Sequence, residues 1–392
     1  MRSRVIGCCL GGLLLGGSVA SVWAGNSADP VVKQTTAPFV TDANGSLQME
    51  VDRAISRGAK WLEAQQKDNG AWSDPQHPAL SALALLALER AGASGPAPNP
   101  AVLESGYAFL RSRAKPDGGI YSEGLSNYNT ALCVLALLRH NDAQDELLLR
   151  NAQGFLSQQQ ARNMIRPELN GGIGYGPTGV SPKRQHPDLD NTLVSLEALR
   201  ACQQMALARE QPQSQTLDWQ AAIAFVSRCQ NTTANNPVSS EVGGFVYYPG
   251  FSNAGEIELP GGGKALRSSG TMSYAGLLSF IYADLPKDDV RVVAALEWLK
   301  QHFTLDENPG LGRQGLFYYF HLMAKALCAS GVSQITVDGR SIPWARELAL
   351  RLINQQDGSG LWLNDTGRWM EKDPVLVTSY ALLTLELLRE RL

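Results

Sequence analysis

The sequence predicts an all-α protein built from six helical hairpins. Three observations carry that prediction. A unit of helix, turn and helix recurs six times between about residues 50 and 390. The first helix of each unit is amphipathic and the second is apolar nearly all round, the pattern of an outer layer covering an inner one. The connecting turn carries Gly-x-aromatic, in which glycine permits the positive φ that ends a helix and the aromatic packs over the turn. No such unit can bury its apolar faces alone, so the six must stack on one another. The pattern fits an open solenoid and a closed ring equally.

The copies follow one another along the chain. The first reads RGAKWLEAQQKDNGAW (57–72) and LSALALLALERAG (80–92), the second YAFLRSRAKPDGGIY (107–121) and NTALCVLALLRH (129–140). The third joins FLSQQQ (155–160) and GGIGY (171–175) to NTLVSLEALRAC (191–202). The fourth joins AFVSRCQ (224–230) and GGFVYYP (243–249) to MSYAGLLSFIYADL (272–285). The fifth runs from ALEWLKQHF (295–303) through QGLFYYFHLMAKAL (314–327). The sixth joins ALRLINQQDGSGLW (349–362) to VTSYALLTLELL (377–388).

Arg57, Gly58, Trp61, Leu62, Gln66, Gly70 and Trp72 match the QW motif of squalene and oxidosqualene cyclases at every specified position, and repeat six keeps Leu352, Gln356, Gly360 and Trp362. Over residues 50 to 390 the chain resembles the squalene cyclase and prenyltransferase superfamily, most of all its bacterial prenyltransferase/squalene-oxidase-repeat proteins. The resemblance implies an α6/α6 toroid, six hairpins closed into a double barrel, with a central cavity.

The stretch HPDLDNTLVSLEAL (186–199) concentrates polar groups at the start of the third inner helix. Asn191 and Thr192 align with Asn129 and Thr130 of repeat two, and Thr192 with Thr378 of repeat six. These two therefore read as a helix-start device whose oxygens accept from free backbone N–H groups. Asp188 and Asp190 are peculiar to repeat three. Their places hold Ser126 and Tyr128 in repeat two, His77 and Ala79 in repeat one, Ser268 and Gly270 in repeat four, and Pro374 and Leu376 in repeat six. The plain alternative makes Asp188 an N-cap and Asp190 a first-turn anion facing the helix dipole. The resemblance implies a second role. Class II terpene cyclases carry Asp-x-Asp-Asp-Thr here, the middle Asp donating a proton to an alkene or epoxide. This chain reads Asp188-Leu189-Asp190-Asn191-Thr192, which makes Asp190 the candidate acid and Asp188 its neighbour. The departure at Asn191, and a length sufficient for one toroid where those cyclases use two, set this chain apart. Around Asp190 the expected ligand-binding residues are Tyr128, Asn191, Tyr274, Tyr318 and His321.

Two relatives are disfavoured residue by residue. Zinc prenyltransferases use Asp-x-Cys and a later His; here Asp190 stands for the Cys and Val377 for the His. Zinc prefers thiolate and imidazole, so no metal and no cofactor are expected. The Cys-Gly-Glu-Gln of thioester domains is absent from the sequence. Around the ring, Asp306 and Glu307 in DENPGLG read as caps. Trp362 and Trp369 flank a rim loop, and the long insertion 231–267 should lie at a rim.

The balance of 34 basic against 37 acidic residues, net −3, argues against nucleic-acid binding. Arg2, Arg4, an apolar stretch from Val5 to about Ala20 and the small residues of Val22-Trp23-Ala24 predict a signal peptide cut after Ala24. VIGC (5–8) resembles a lipoprotein box but precedes the apolar stretch. Residues 25–46 read as an unstructured leader and 47–392 as one domain, exported to the periplasm or secreted, with no membrane span. Cys133, Cys202, Cys229 and Cys328 read as small buried thiols. The leading expectation is an apolar, isoprenoid-like ligand in the cavity, with acid-initiated cyclisation or isomerisation through Asp190. The alternative is a non-catalytic scaffold whose rim loops hold a protein or glycan partner.

Overall fold

A computed structural model describes residues 43–176, 186–210 and 217–392. The predicted signal peptide lies outside them. The predicted leader is corrected at its end, because the first helix already begins at Ala43. Helices α1 (Ala43–Glu63) and α2 (Pro78–Ser94) form the first hairpin, α3 (Pro100–Arg111) and α4 (Ser126–His140) the second. Helices α5 (Glu146–Gln158) and α6 (Leu189–Ala208) form the third, α7 (Trp219–Cys229) and α8 (Gly270–Tyr282) the fourth. Helices α9 (Val290–Gln301) and α10 (Leu316–Ser330) form the fifth, α11 (Trp344–Gln355) and α12 (Pro374–Arg389) the sixth. Two small antiparallel ribbons sit in loops: β1 (Glu256–Glu258) with β2 (Lys264–Leu266), and β3 (Ile335–Val337) with β4 (Arg340–Ile342).

The six hairpins close into a ring. Helices α2, α4, α6, α8, α10 and α12 each pack on the next, and α12 returns to α2. The odd-numbered helices cover this inner barrel from outside. Burial follows the layers read from the sequence. Every residue of α8 is buried, whereas α5 buries only Ala152, Phe155, Leu156 and Ser157. The fold is the all-α, α6/α6 toroid.

The QW motif is the device that joins one hairpin to the next. Trp72 is fully buried; its indole N–H donates to Leu62 O at 2.7 Å and its backbone N–H to Ser81 Oγ on α2 at 2.9 Å. Trp362 repeats this with Leu352 O at 2.7 Å and Thr378 Oγ1 at 3.1 Å. Gln66 donates to Gly70 O at 3.1 Å and reaches Val102 O in the following outer helix at 2.9 Å. Gln160 and Gln230 make the same reach to Asp218 O and Arg291 O, both at 2.8 Å. Gln356 reaches Ala54 O of α1 at 2.9 Å, so the last repeat is tied to the first as repeats one, three and four are tied to their successors. The turn glycine is required twice over. Gly360 has φ +105°, and a Cβ there would lie 2.6 Å from Arg57 O of α1.

Thr192 belongs to this device and not to helix capping. Its Oγ1 accepts from the Ile173 N–H of the preceding turn at 2.9 Å and donates to Asp188 O at 2.6 Å. Thr130, Thr378, Ser81 and Ser273 accept from their own turns in the same way. Ser273, not Met272, therefore occupies the Thr192 place in repeat four. That moves the counterparts of Asp188 and Asp190 to Ser269 and Thr271, one residue on from the sequence alignment.

Candidate active site in the central cavity

A cavity of about 280 Å³ opens where the N-terminal ends of the six inner helices converge. Its wall takes His77, Leu80 and Leu83 from α2 and its start, Tyr128 and Asn129 from α4, and Asp190 from α6. Thr271 and Met272 of α8, Tyr318 of α10, and Leu376 and Tyr380 of α12 complete the inner ring. Turns and rim loops add Tyr175, Tyr247, Asn253, Leu311, Trp369, Met370 and Glu371. The lining is thus tyrosine-rich and mostly apolar, with Asp190 and Glu371 as its carboxylates.

Six helix N-termini would make this an anion site if their N–H groups were free. In every helix a first-turn donor is already taken. Asn129 Oδ1 accepts from Ala79 of α2 at 3.0 Å, and the Asn127 N–H of α4 donates to Tyr175 O at 3.2 Å. Asp188 Oδ1 accepts from Asn191 of α6 at 2.8 Å, and Asn308 Oδ1 from Thr271 of α8 at 3.1 Å. Glu371 accepts from Tyr318 of α10 at 2.8 Å, and Asp373 from Val375 of α12 at 2.9 Å. Four of these acceptors, Asn129, Tyr175, Asn308 and Glu371, come from a different element than the helix they cap. The dipole ends are engaged by protein, which suits an apolar ligand better than an anion.

Asp190 sits in the cavity wall, and its Oδ1 accepts from the Tyr318 hydroxyl at 2.6 Å. Burial pushes its carboxyl up to about 6, while the hydrogen bond from Tyr318 pulls the other way. The Tyr318 ring lies 5.3 Å from that of Tyr380, whose hydroxyl is 3.3 Å from that of Tyr128. These rings present π-faces beside an acid that retains its proton into the mildly acidic range.

Asp188 stands behind the wall, fully buried and outside the cavity lining. It is the N-cap of α6, and both its oxygens also accept from the Asn191 amide, at 3.1 and 2.8 Å. Burial, then the neighbouring Asp190, push its carboxyl up to about 8 against those donors and against Tyr247. The Tyr247 hydroxyl is in turn 3.0 Å from that of Tyr175. Two carboxyl–tyrosine chains therefore reach this cavity from one turn of α6.

Of the residues expected from sequence, Asp190, Tyr128 and Tyr318 line the cavity. Three expectations are corrected. Asn191 is fully buried and spends its amide on Asp188, so it faces away from the cavity. Tyr274 is buried between α8 and α10, its ring 5.6 Å from Tyr319, and outside the cavity lining. His321 lies one helical turn below Tyr318, stacked on Tyr380 at 5.6 Å and outside the lining. Burial, with Lys325 and Arg90 nearby, holds its imidazole well below the ordinary range and therefore neutral.

Sequence reading missed Tyr175, Tyr247, Tyr380 and Glu371, whereas Trp369, read from sequence as a rim residue, does line the mouth. Tyr175 and Tyr247 each lie two residues beyond the turn position whose N–H meets the inner helix, Ile173 in repeat three and Phe245 in repeat four, and Tyr380 lies two beyond Thr378; the Tyr175 and Tyr247 recurrence was the available signal. Glu371 had none. It caps α10 from a loop 53 residues away and is fixed there by Asn364 Nδ2 at 2.6 Å. Trp362 is turn packing, whereas Trp369 is a mouth residue, 43% exposed. Trp369 and Met370 have φ of +54° and +66°, a left-handed pair that side chains disfavour. The Trp369 ring covers Gly315 and carries the Arg368 guanidinium at 4.3 Å. Arg368 also reaches Gln314 Oε1 at 2.7 Å and Asn253 Oδ1 at 3.2 Å, joining two rim loops across the mouth. The insertion 231–267 lies at that rim, as its length predicted. Among the described residues no group of three or more His, Cys, Asp or Glu could hold a metal ion, and no helix is long and apolar enough to cross a membrane.

No family model and no curated protein matches the sequence. Solved structures do. The type II terpene cyclase MstE from Scytonema superposes with a TM-score of 0.54 at 11% identity, over 88% of this chain and 100% of that one. A substituted form of it, in complex with its substrate geranylgeranyl dihydroxybenzoate, gives 0.53 at 12% identity over 89% and 99%. Another, with the product merosterolic acid A, gives 0.51 at 13% identity over 89% and 99%. At such identities the likeness establishes a shared toroidal fold.

Proposed function

We propose that this protein binds an isoprenoid-like ligand in its central cavity and that Asp190 protonates it, starting a cyclisation or isomerisation. The observation that carries the proposal is the Asp190 carboxyl itself, held by Tyr318 at 2.6 Å in a wall of tyrosine rings. Asp190 gives its proton to an alkene carbon or an epoxide oxygen. The resulting cation is shared with tyrosine faces, worth about 1–2 kcal/mol each when desolvated, and is captured by an internal double bond. Loss of one proton from the cyclised cation restores a double bond and a carboxyl, so the product is an isomer of the substrate. The terpene cyclases with the same fold act on a geranylgeranyl compound, which supports this ligand class.

The test is incubation with linear isoprenoids and their terminal epoxides, followed by mass spectrometry for products of unchanged mass. Wild type should convert a member of the panel, and Asp190→Asn should bind it without conversion. Conversion by both proteins would remove Asp190 from the chemistry, and absence of any binding would end the ligand reading. We also infer export, on the N-terminal Arg2–Ala24 pattern. N-terminal sequencing of the mature protein should start at Gly25; a retained Met1 with the protein in the cytoplasm would refute it.

A further inference from the structure

We infer that the cavity takes one two-isoprene segment, about ten carbon atoms by the calibration below, and that Leu83 and Tyr380 set the limit. The inference rests on the proposed ligand class and concerns its length. An apolar cavity of about 150 Å³ holds one benzene, or roughly 25 Å³ for each carbon. The 280 Å³ found here therefore accommodates about eleven carbons on that scale. A longer chain must leave its remainder in the mouth.

The floor explains why the space ends there. The inner helices all start at the cavity, so a lining residue further along its helix lies deeper. Leu83 is the deepest lining residue of α2 and Tyr380 that of α12. Tyr380 is braced from three sides, by Tyr128 through their hydroxyls at 3.3 Å, by Tyr318 at 5.3 Å and by His321 beneath at 5.6 Å. One turn below His321, the Lys325 ammonium of α10 contacts both oxygens of Glu197 on α6 at 2.6 Å. This ion pair ties two non-adjacent inner helices together, and the Arg90 charge lies beside it. An apolar chain reaching deeper would have to displace a largely buried ion pair, and breaking such a pair is strongly unfavourable. The barrel is thus filled with charge below a tyrosine floor and open above it.

Calorimetric titration with geraniol, farnesol and geranylgeraniol tests the limit without requiring turnover. Each methylene taken from water strengthens binding about 4-fold, so a fully buried third isoprene unit would add more than about 100-fold. Wild type should gain less than about 10-fold from geraniol to farnesol, and no more on going to geranylgeraniol. Leu83→Ala removes three carbons from the floor and should raise the preference for farnesol over geraniol by at least about 10-fold. Continued strengthening through geranylgeraniol in wild type would overturn the length limit while leaving the ligand class intact. Failure of all three alcohols to bind would sink the ligand class, and the limit with it.

Discussion

The Tyr318 hydroxyl and the Asp190 carboxylate meet at 2.6 Å although 128 residues separate them. One stands on the fifth inner helix and the other on the third, so only closure of the ring brings them together. The backbone N–H of the same tyrosine donates to Glu371 at 2.8 Å, which fixes the start of α10. Tyr318 is therefore held by one carboxylate while it holds another.

Removing the Tyr318 hydroxyl should change how Asp190 titrates. The donated hydrogen bond favours the ionised carboxylate, and burial opposes it. In Tyr318→Phe the Asp190 midpoint should move up from about 6. Carbon-13 NMR of labelled aspartate, assigned by Asp190→Asn, reads the midpoint directly. An unchanged or lower value would show that the hydroxyl does not govern this acid.

The two aspartates should make stability fall with rising pH. Both carboxyls are raised above their ordinary value of 3.8, Asp190 to about 6 and Asp188 to about 8. In that window the folded protein keeps protons that the unfolded chain has released. Their stabilising contribution is complete below about pH 4 and is lost as pH rises through about 6 and then about 8. Urea midpoints measured from pH 5 to pH 9 should decline in wild type and decline less in Asp188→Asn, which keeps an N-cap oxygen. Identical slopes would assign the pH dependence elsewhere.

Gln356 should matter as a ring-closing residue. Its amide donates to Gly360 O at 2.8 Å and to Ala54 O of α1 at 2.9 Å. Gln356→Ala leaves Gly360 O without its donor and removes the second donor of Ala54 O, which is already bonded within α1, at a cost of about 1–3 kcal/mol. Thermal unfolding and hydrogen exchange of α1 report it; protection of α1 should drop more than that of α7. Uniform loss across the ring would mean that closure has no special weak point.

Trp369 should prove dispensable for stability and needed for retention. Its φ of +54° costs roughly 1–2 kcal/mol for a side-chain-bearing residue, which glycine relieves. Trp369→Gly also loses the ring over Gly315 and the contact with Arg368, so the melting temperature should shift by no more than a few degrees. Dissociation of a bound isoprenoid alcohol, followed by stopped flow, should accelerate several-fold. A large fall in melting temperature would instead mark Trp369 as a structural pillar of the rim.

The sequence by itself determined the hairpins, their number and which helix of each pair lies inside. Those properties depend on the period of apolar residues and on turn chemistry, both local. Trp72, Gln66 and Gly70 carry their whole meaning within one hairpin and its successor, so they were legible. Asp188 was also readable as an N-cap, since its partner Asn191 is three residues on. The tertiary structure alone decided closure, through Gln356 on α1, and the composition of the cavity. Asn191, Tyr274 and His321 looked equivalent to Tyr128 and Tyr318 along the chain. Helix rotation within the ring turned the first three into the wall or below the floor and the other two into the lumen. Glu371 had no sequence signature, because its work is to cap a helix from a different loop. Side-chain direction in a closed barrel is set by contacts between helices far apart in sequence, and no local pattern encodes it.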